Sequence, residues 1–141
     1  MRLSDDTING VQLMVTGRPA GRRFEVIVNE RSILLSGNSF YYLFRLAYLS
    51  VTAPGKYLPH SELDSGDNHI RYIYRLRQEL KANQVDGRLC IENDKKGGYR
   101  LLLSPNQISF DQLQLSEFPD ARVQTLVKVL ESEKLSAARS G

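Results

Sequence analysis

Asn68-His69-Ile70-Arg71-Tyr72-Ile73-Tyr74-Arg75-Leu76-Arg77-Gln78-Glu79-Leu80-Lys81-Ala82 repeats its aliphatic residues every three or four positions. That interval keeps side chains on one face of an α-helix, so Ile70, Ile73, Leu76 and Leu80 are expected to point into a core. At about 100° per residue, Asn68, Arg71, Arg75 and Gln78 gather on the opposite face, with Tyr72 and Tyr74 at its margins. One face should be buried and the other should present cations and forked hydrogen-bond donors to solvent. His69 falls on the core side.

Upstream, Asp64-Ser65-Gly66-Asp67 reads as a tight turn, and Asp67 or Asn68 can cap the helix that follows. Pro59-His60-Ser61-Glu62-Leu63 suits a very short helix with proline in its first turn. Another helix should begin after Ser36-Gly37-Asn38-Ser39 and end at Ala53-Pro54-Gly55. Its core stripe is Phe40, Leu43, Phe44 and Ala47, with Tyr41, Arg45 and Tyr48 expected as amphipathic cover on the other side. Before it, Val11 to Val15, Phe24 to Val28 and Ser32 to Leu35 have strand patterning. Asn29-Glu30-Arg31 reverses the chain, and Gly17-Arg18-Pro19-Ala20-Gly21 reads as a loop. A small antiparallel sheet should result.

Downstream, Arg88-Leu89-Cys90-Ile91 and Tyr99-Arg100-Leu101-Leu102-Leu103 flank Glu92-Asn93-Asp94-Lys95-Lys96-Gly97-Gly98, which predicts a hairpin tipped by two lysines and two glycines. Helix, tight turn, cationic helix and basic hairpin follow one another in the order of a winged helix-turn-helix. The expected fold is therefore α+β: an N-terminal antiparallel sheet, a three-helix core and a C-terminal β-hairpin wing. Beyond Ser104-Pro105, Val123, Leu126, Val127 and Leu130 form another helical stripe that something must cover. The expected division is an N-terminal strand and loop over 1–23, the principal domain over 24–104, and an amphipathic tail over 105–141 that packs in cis, on a second copy or on another protein. Residues 136–141 are expected to be disordered.

Composition narrows the function classes without choosing among them. The 141 residues, 41% hydrophobic, suffice for one core. No apolar run approaches the roughly 20 residues that span a bilayer, and Met1-Arg2-Leu3-Ser4-Asp5-Asp6 lacks a signal-peptide pattern, so a cytoplasmic protein without membrane contact is expected. Cys90 has no internal disulfide partner and lies between Leu89 and Ile91, which favours a small core hydrophobe. A net charge of +3 is too mild to name a partner, but residues 71–100 concentrate the excess. There is no GxxxxGK loop, nucleophile elbow or convincing acid-base pair, so neither an enzyme nor a cofactor is expected. His60 and His69, with Glu62, Asp64 and Asp67 between them, match no common zinc spacing, so no metal is expected.

From Phe24 to Leu103 the chain resembles the winged-helix output domain of OmpR/PhoB-type response regulators and their ToxR-like relatives. The residues that carry the resemblance are Ile73-Tyr74-Arg75-Leu76-Arg77-Gln78-Glu79-Leu80 and Lys96-Gly97-Gly98-Tyr99-Arg100-Leu101, with the strand pair, the Phe40 helix and Pro54-Gly55 in the expected order. The resemblance implies a transcription regulator that binds double-stranded DNA, its recognition helix in the major groove and its wing near the minor groove. Arg75 and Arg77 would be the helix contacts with Arg71 and Tyr72 nearby, Lys95, Lys96 and Arg100 would serve the wing, and His60 would lie near a phosphate. Asn68 and Gln78 join this set by sharing the exposed helix face.

Three departures stand out: residues 1–23 are too few for a phospho-accepting receiver domain, the link before Asn68 is short, and Arg71 replaces a commonly aliphatic residue. The competing expectation is a winged-helix module that binds proteins instead of DNA. In a further alternative, the arginines form surface ion pairs with Glu79, Asp86 or Glu92, each worth about 0–1 kcal/mol.

Overall fold

The computed structural model describes residues 10–63 and 68–140, with the helical backbone alone over 131–140. It is a mixed α+β fold with two sheets. β1 (Leu13–Ala20), β2 (Arg23–Val28) and β3 (Arg31–Ser36) run antiparallel. Val26, Val28, Ile33 and Leu35 are buried, every second residue as one-sided burial of a sheet requires. Asn29 and Glu30 join β2 to β3 with φ of 48° and 70°, the left-handed geometry that matches a two-residue hairpin turn to strand twist. The expected loop at 17–21 instead lies mostly within β1. A register shift between Val15 and Pro19 absorbs Gly17 as a bulge, after which Pro19 and Ala20 pair with Phe24 and Arg23. Gly17 takes φ 68°, and a Cβ there would sit 2.9 Å from Leu115 Cδ2.

α1 (Gly37–Thr52) buries Phe40, Leu43, Phe44 and Ala47 completely. Tyr41 and Tyr42 are buried too, which corrects the expectation that Tyr41 covers surface. The reason is cover from later segments: the Arg122 guanidinium lies 3.8 Å from the Tyr41 ring centroid, and Tyr42 meets Tyr72 edge-on at 5.6 Å. Arg45 and Tyr48 are half-buried. The first turn of α1 is capped from a distance, because the Glu79 carboxylate accepts bonds from the Ser36 amide at 2.8 Å and from the Ser36 and Ser39 hydroxyls at 2.7 Å each. A negative charge at this helix end is favourable, and the bonds tie α1 to the helix that carries Glu79.

After β4 (Leu58–Pro59), a single 3-10 turn at His60–Glu62 stands where a short helix was expected. The turn expected at Asp64–Asp67, with its Asp67 cap, lies outside the described residues. α2 (Asn68–Ala82) buries Ile73, Leu76 and Leu80 as expected, but Ile70 is 64% exposed. At about 100° per residue Ile70 stands off the line of those three, whereas His69 falls on it. His69 is buried and its polarity is satisfied, with Nδ1 2.9 Å from the Tyr99 hydroxyl. β5 (Ile91–Asn93) and β6 (Gly98–Leu101) form the hairpin, and β4 adds to β6 to give the second sheet, ordered β4-β6-β5.

Residues beyond 104 complete the core instead of trailing from it. Ser104 and Gln107 form a reciprocal cap on a 3-10 turn, and β7 (Ile108–Phe110) then pairs parallel with β1, Leu13 opposite Ile108 and Val15 opposite Phe110. α3 (Gln112–Leu115) and α4 (Ala121–Ser140) follow. Phe118 packs on Phe24 and Phe40 with ring centroids 4.7 and 4.8 Å apart, while Val123, Val127 and Leu130 are buried in the same chain. These residues close the open side of the first sheet and of α1, so their apolar stripe is satisfied in cis. α4 continues through 136–140, where disorder was expected. Among the described residues no helix is long and apolar enough to cross a membrane.

Candidate nucleic-acid interface

Burial of one face of α2 forces the other outward. Asn68, Arg71, Arg75, Arg77 and Gln78 are exposed, and Tyr72 is half-buried against Tyr42. The arginines differ in how far they are committed. Arg71 rests on Tyr72, its guanidinium 5.2 Å from the ring centroid. Arg77 donates from Nη2 to the Ile91 carbonyl at 2.8 Å, which fastens α2 to the first strand of the hairpin. Arg75 makes no hydrogen bond or ion pair among the described residues. It borders an open groove of about 520 Å³, lined also by Tyr41, Phe118, Asp120 and Arg122.

Two of the carboxylates that would neutralise these arginines are engaged elsewhere. Glu79 caps α1, and Glu92 pairs with Arg100 at 2.6 Å while accepting from the Tyr57 hydroxyl. No ion pair joins Arg71, Arg75 or Arg77 to a described carboxylate. Their charge is therefore open to an external anion.

The hairpin tip is built by side chains that bond its own backbone. Asp94 Oδ1 accepts from the amides of Lys96 at 2.7 Å and Gly98 at 2.8 Å, and Asn93 Oδ1 accepts from the Lys95 amide at 2.6 Å. The Gly98 and Lys96 amides hold the Asp94 carboxyl below its ordinary range, so the tip is held by an ionised side chain. Lys95 and Lys96 are exposed. Gly97 and Gly98 serve contacts inside the protein. At Gly97, φ is 90° and a Cβ would sit 2.5 Å from His60 Cδ2; a Cβ at Gly98 would sit 2.6 Å from Asp94 Oδ2.

Arg100 is part of this scaffold. Besides Glu92, it reaches the Gly55 carbonyl at 3.1 Å and lies 4.6 Å from the centroid of Tyr57. The Tyr57 hydroxyl, with Arg100 beside it, lowers the pKa of Glu92, and the same bond raises that of Tyr57. Sequence reasoning placed Arg100 among the contacts and passed over Tyr57, because residues so far apart in the chain carry no local sign of their pairing.

No protein-family model, curated protein or solved structure matches the chain. What the site can do is therefore read from its own geometry. The hairpin is tied to α2 directly by Arg77 and by Tyr99, whose hydroxyl lies 2.9 Å from His69 Nδ1, and through His60 near its tip. Arg77 holds its first strand, and near its tip Gly97 accepts the His60 amide bond at 2.8 Å while the His60 ring stacks on His69 at 4.0 Å. The exposed face of α2 and the lysine tip are thus fixed relative to one another. Among the described residues no three His, Cys, Asp or Glu side chains gather as a metal site. Cys90 is half-buried, its thiol directed at the carbonyls of Asp86 and Gly87.

Proposed function

We propose that the chain is a winged helix-turn-helix module that binds double-stranded DNA sequence-specifically and regulates transcription, with α2 in the major groove and the β5-β6 hairpin near the minor groove. The observation that carries this reading is the uncompensated charge of Arg71 and Arg75 on the exposed face of a helix braced by a lysine-tipped hairpin. A major groove admits an α-helix, and a bidentate arginine on guanine discriminates bases by about 1–3 kcal/mol. Asn68 and Gln78 share that face and have the paired donor and acceptor that adenine presents in reverse. Lys95 and Lys96 suit phosphate, where affinity comes largely from counterion release.

The structure narrows the proposed contacts. Arg100 drops out because its guanidinium is held by Glu92, Gly55 and Tyr57. Arg77 keeps a bracing role. The α4 stripe needs no second chain through Leu130, so one copy is the unit proposed to contact DNA. The resemblance to OmpR/PhoB-type output domains favours the same assignment. Purified protein should shift a mixed-sequence duplex, and affinity should fall about tenfold or more between low and physiological salt. Absence of any shift at low salt would refute the proposal and favour a protein-binding role for the same surface.

A further inference from the structure

Ile70 and Tyr74 are each 64% exposed, although both are large and largely apolar. They stand four residues apart, one turn of α2, and so form neighbouring apolar projections on its solvent face. At about 100° per residue the exposed positions run across the helix from Arg77 through Ile70, Lys81, Tyr74 and Gln78 to Arg71 and Arg75. The apolar pair therefore lies between the arginine that holds the hairpin and the residues offered to base edges. The packing of α2 does not use Ile70, since His69, Ile73, Leu76 and Leu80 already fill the buried face. An isoleucine in water on a face otherwise made of charged and amide side chains calls for an apolar partner on the ligand.

In a major groove the prominent apolar feature of the base edges is the 5-methyl of thymine. Resting on the reading of α2 as the groove-entering helix, we propose that Ile70 and Tyr74 read thymine methyl groups beside the bases contacted by Arg71 and Gln78. The two side chains become specificity determinants: they exclude water from a pyrimidine 5-methyl and meet a gap where cytosine presents hydrogen and an amino group. The site this surface prefers thus contains at least one thymine next to its arginine-read guanine.

The test starts from the tightest-binding duplex recovered from a randomised library with the full chain. Each thymine is replaced singly by uracil, which removes the methyl and leaves every hydrogen-bonding group in place. At one position or more, uracil should weaken the wild-type protein about threefold to tenfold, the effect of one buried methyl-sized group. Ile70→Ala or Tyr74→Ala should bind the thymine and uracil duplexes alike, and both variants should fold because each side chain is exposed. Tolerance of uracil at every position, with the recovered duplex still preferred over a scrambled one, overturns the methyl reading and leaves DNA binding intact. An undiminished uracil effect in both variants assigns the methyl to other side chains and also overturns it. If no duplex is preferred over any other, the proposed function itself fails, and this inference with it.

Discussion

α1 and α2 are helices of 16 and 15 residues in one core, and they handle their surfaces in opposite ways. α1 is covered from several directions, by the first sheet, by α2 and by the segment around Phe118, so even its tyrosines are buried. α2 is covered on one side alone and leaves a cationic face bare. The comparison teaches that the freedom to carry unpaired arginines depends on what the rest of the chain declines to cover. Glu79 sharpens the contrast: it is the acidic side chain of α2, yet its charge stabilises the start of α1 instead of quenching the arginines beside it.

If that division is correct, substitutions in the two helices should separate stability from binding. Phe44→Ala removes a fully buried ring from α1 and should destabilise the fold by about 3–5 kcal/mol, measured by denaturant unfolding. Glu79→Ala should cost about 2–3 kcal/mol, because three donors at the start of α1 lose a charged acceptor. A loss below about 0.5 kcal/mol would show that the shared carboxylate matters little. Gly97→Ala forces an L side chain into φ 90° against His60 and should cost about 1–3 kcal/mol. Arg75→Ala should change stability by less than about 0.5 kcal/mol while weakening duplex binding severalfold. A large fall in melting temperature instead would place Arg75 in the scaffold and erase the contrast.

Acid should act on the bonds that carboxylates make. Glu25, Glu92, Asp94 and Asp120 have folded pKa values below their ordinary ones, held down chiefly by bonds from Ser32, Tyr57, Gly98 and Arg122 respectively. Their contribution is present above the unfolded values of about 4 and is lost as pH falls through the lower folded ones. Unfolding followed by circular dichroism should show stability nearly level from neutrality to about pH 5 and declining below about pH 4. A decline that sets in well above pH 5 would show that these carboxylates do not set the acid limit.

The sequence-based reading succeeded where structure is local and failed where it is not. The β2-β3 hairpin and the buried line of Ile73, Leu76 and Leu80 follow from turn residues and helical spacing. Ile70 was misassigned because residue type was allowed to outweigh its angle, and a histidine with a buried tyrosine partner took the core position. The burial of Tyr41 depends on Arg122, far along the chain, and the Arg100 cluster on Tyr57. For the candidate site, the composition of the α2 face and the lysine tip was legible. The commitments of Arg77 and Arg100 required three dimensions.

The parallel pairing of β1 with β7 sets an order on the birth of this protein. A ribosome delivers β1 early and its neighbour β7 only after Ile108, so one edge of the first sheet waits unpaired while the hairpin is being made. The Phe24 and Phe40 rings wait likewise for Phe118. A nascent chain arrested near Ser104 would hold every residue of the candidate interface and still lack the closure of its core, so it would be a client for chaperones and not a small working version of the whole.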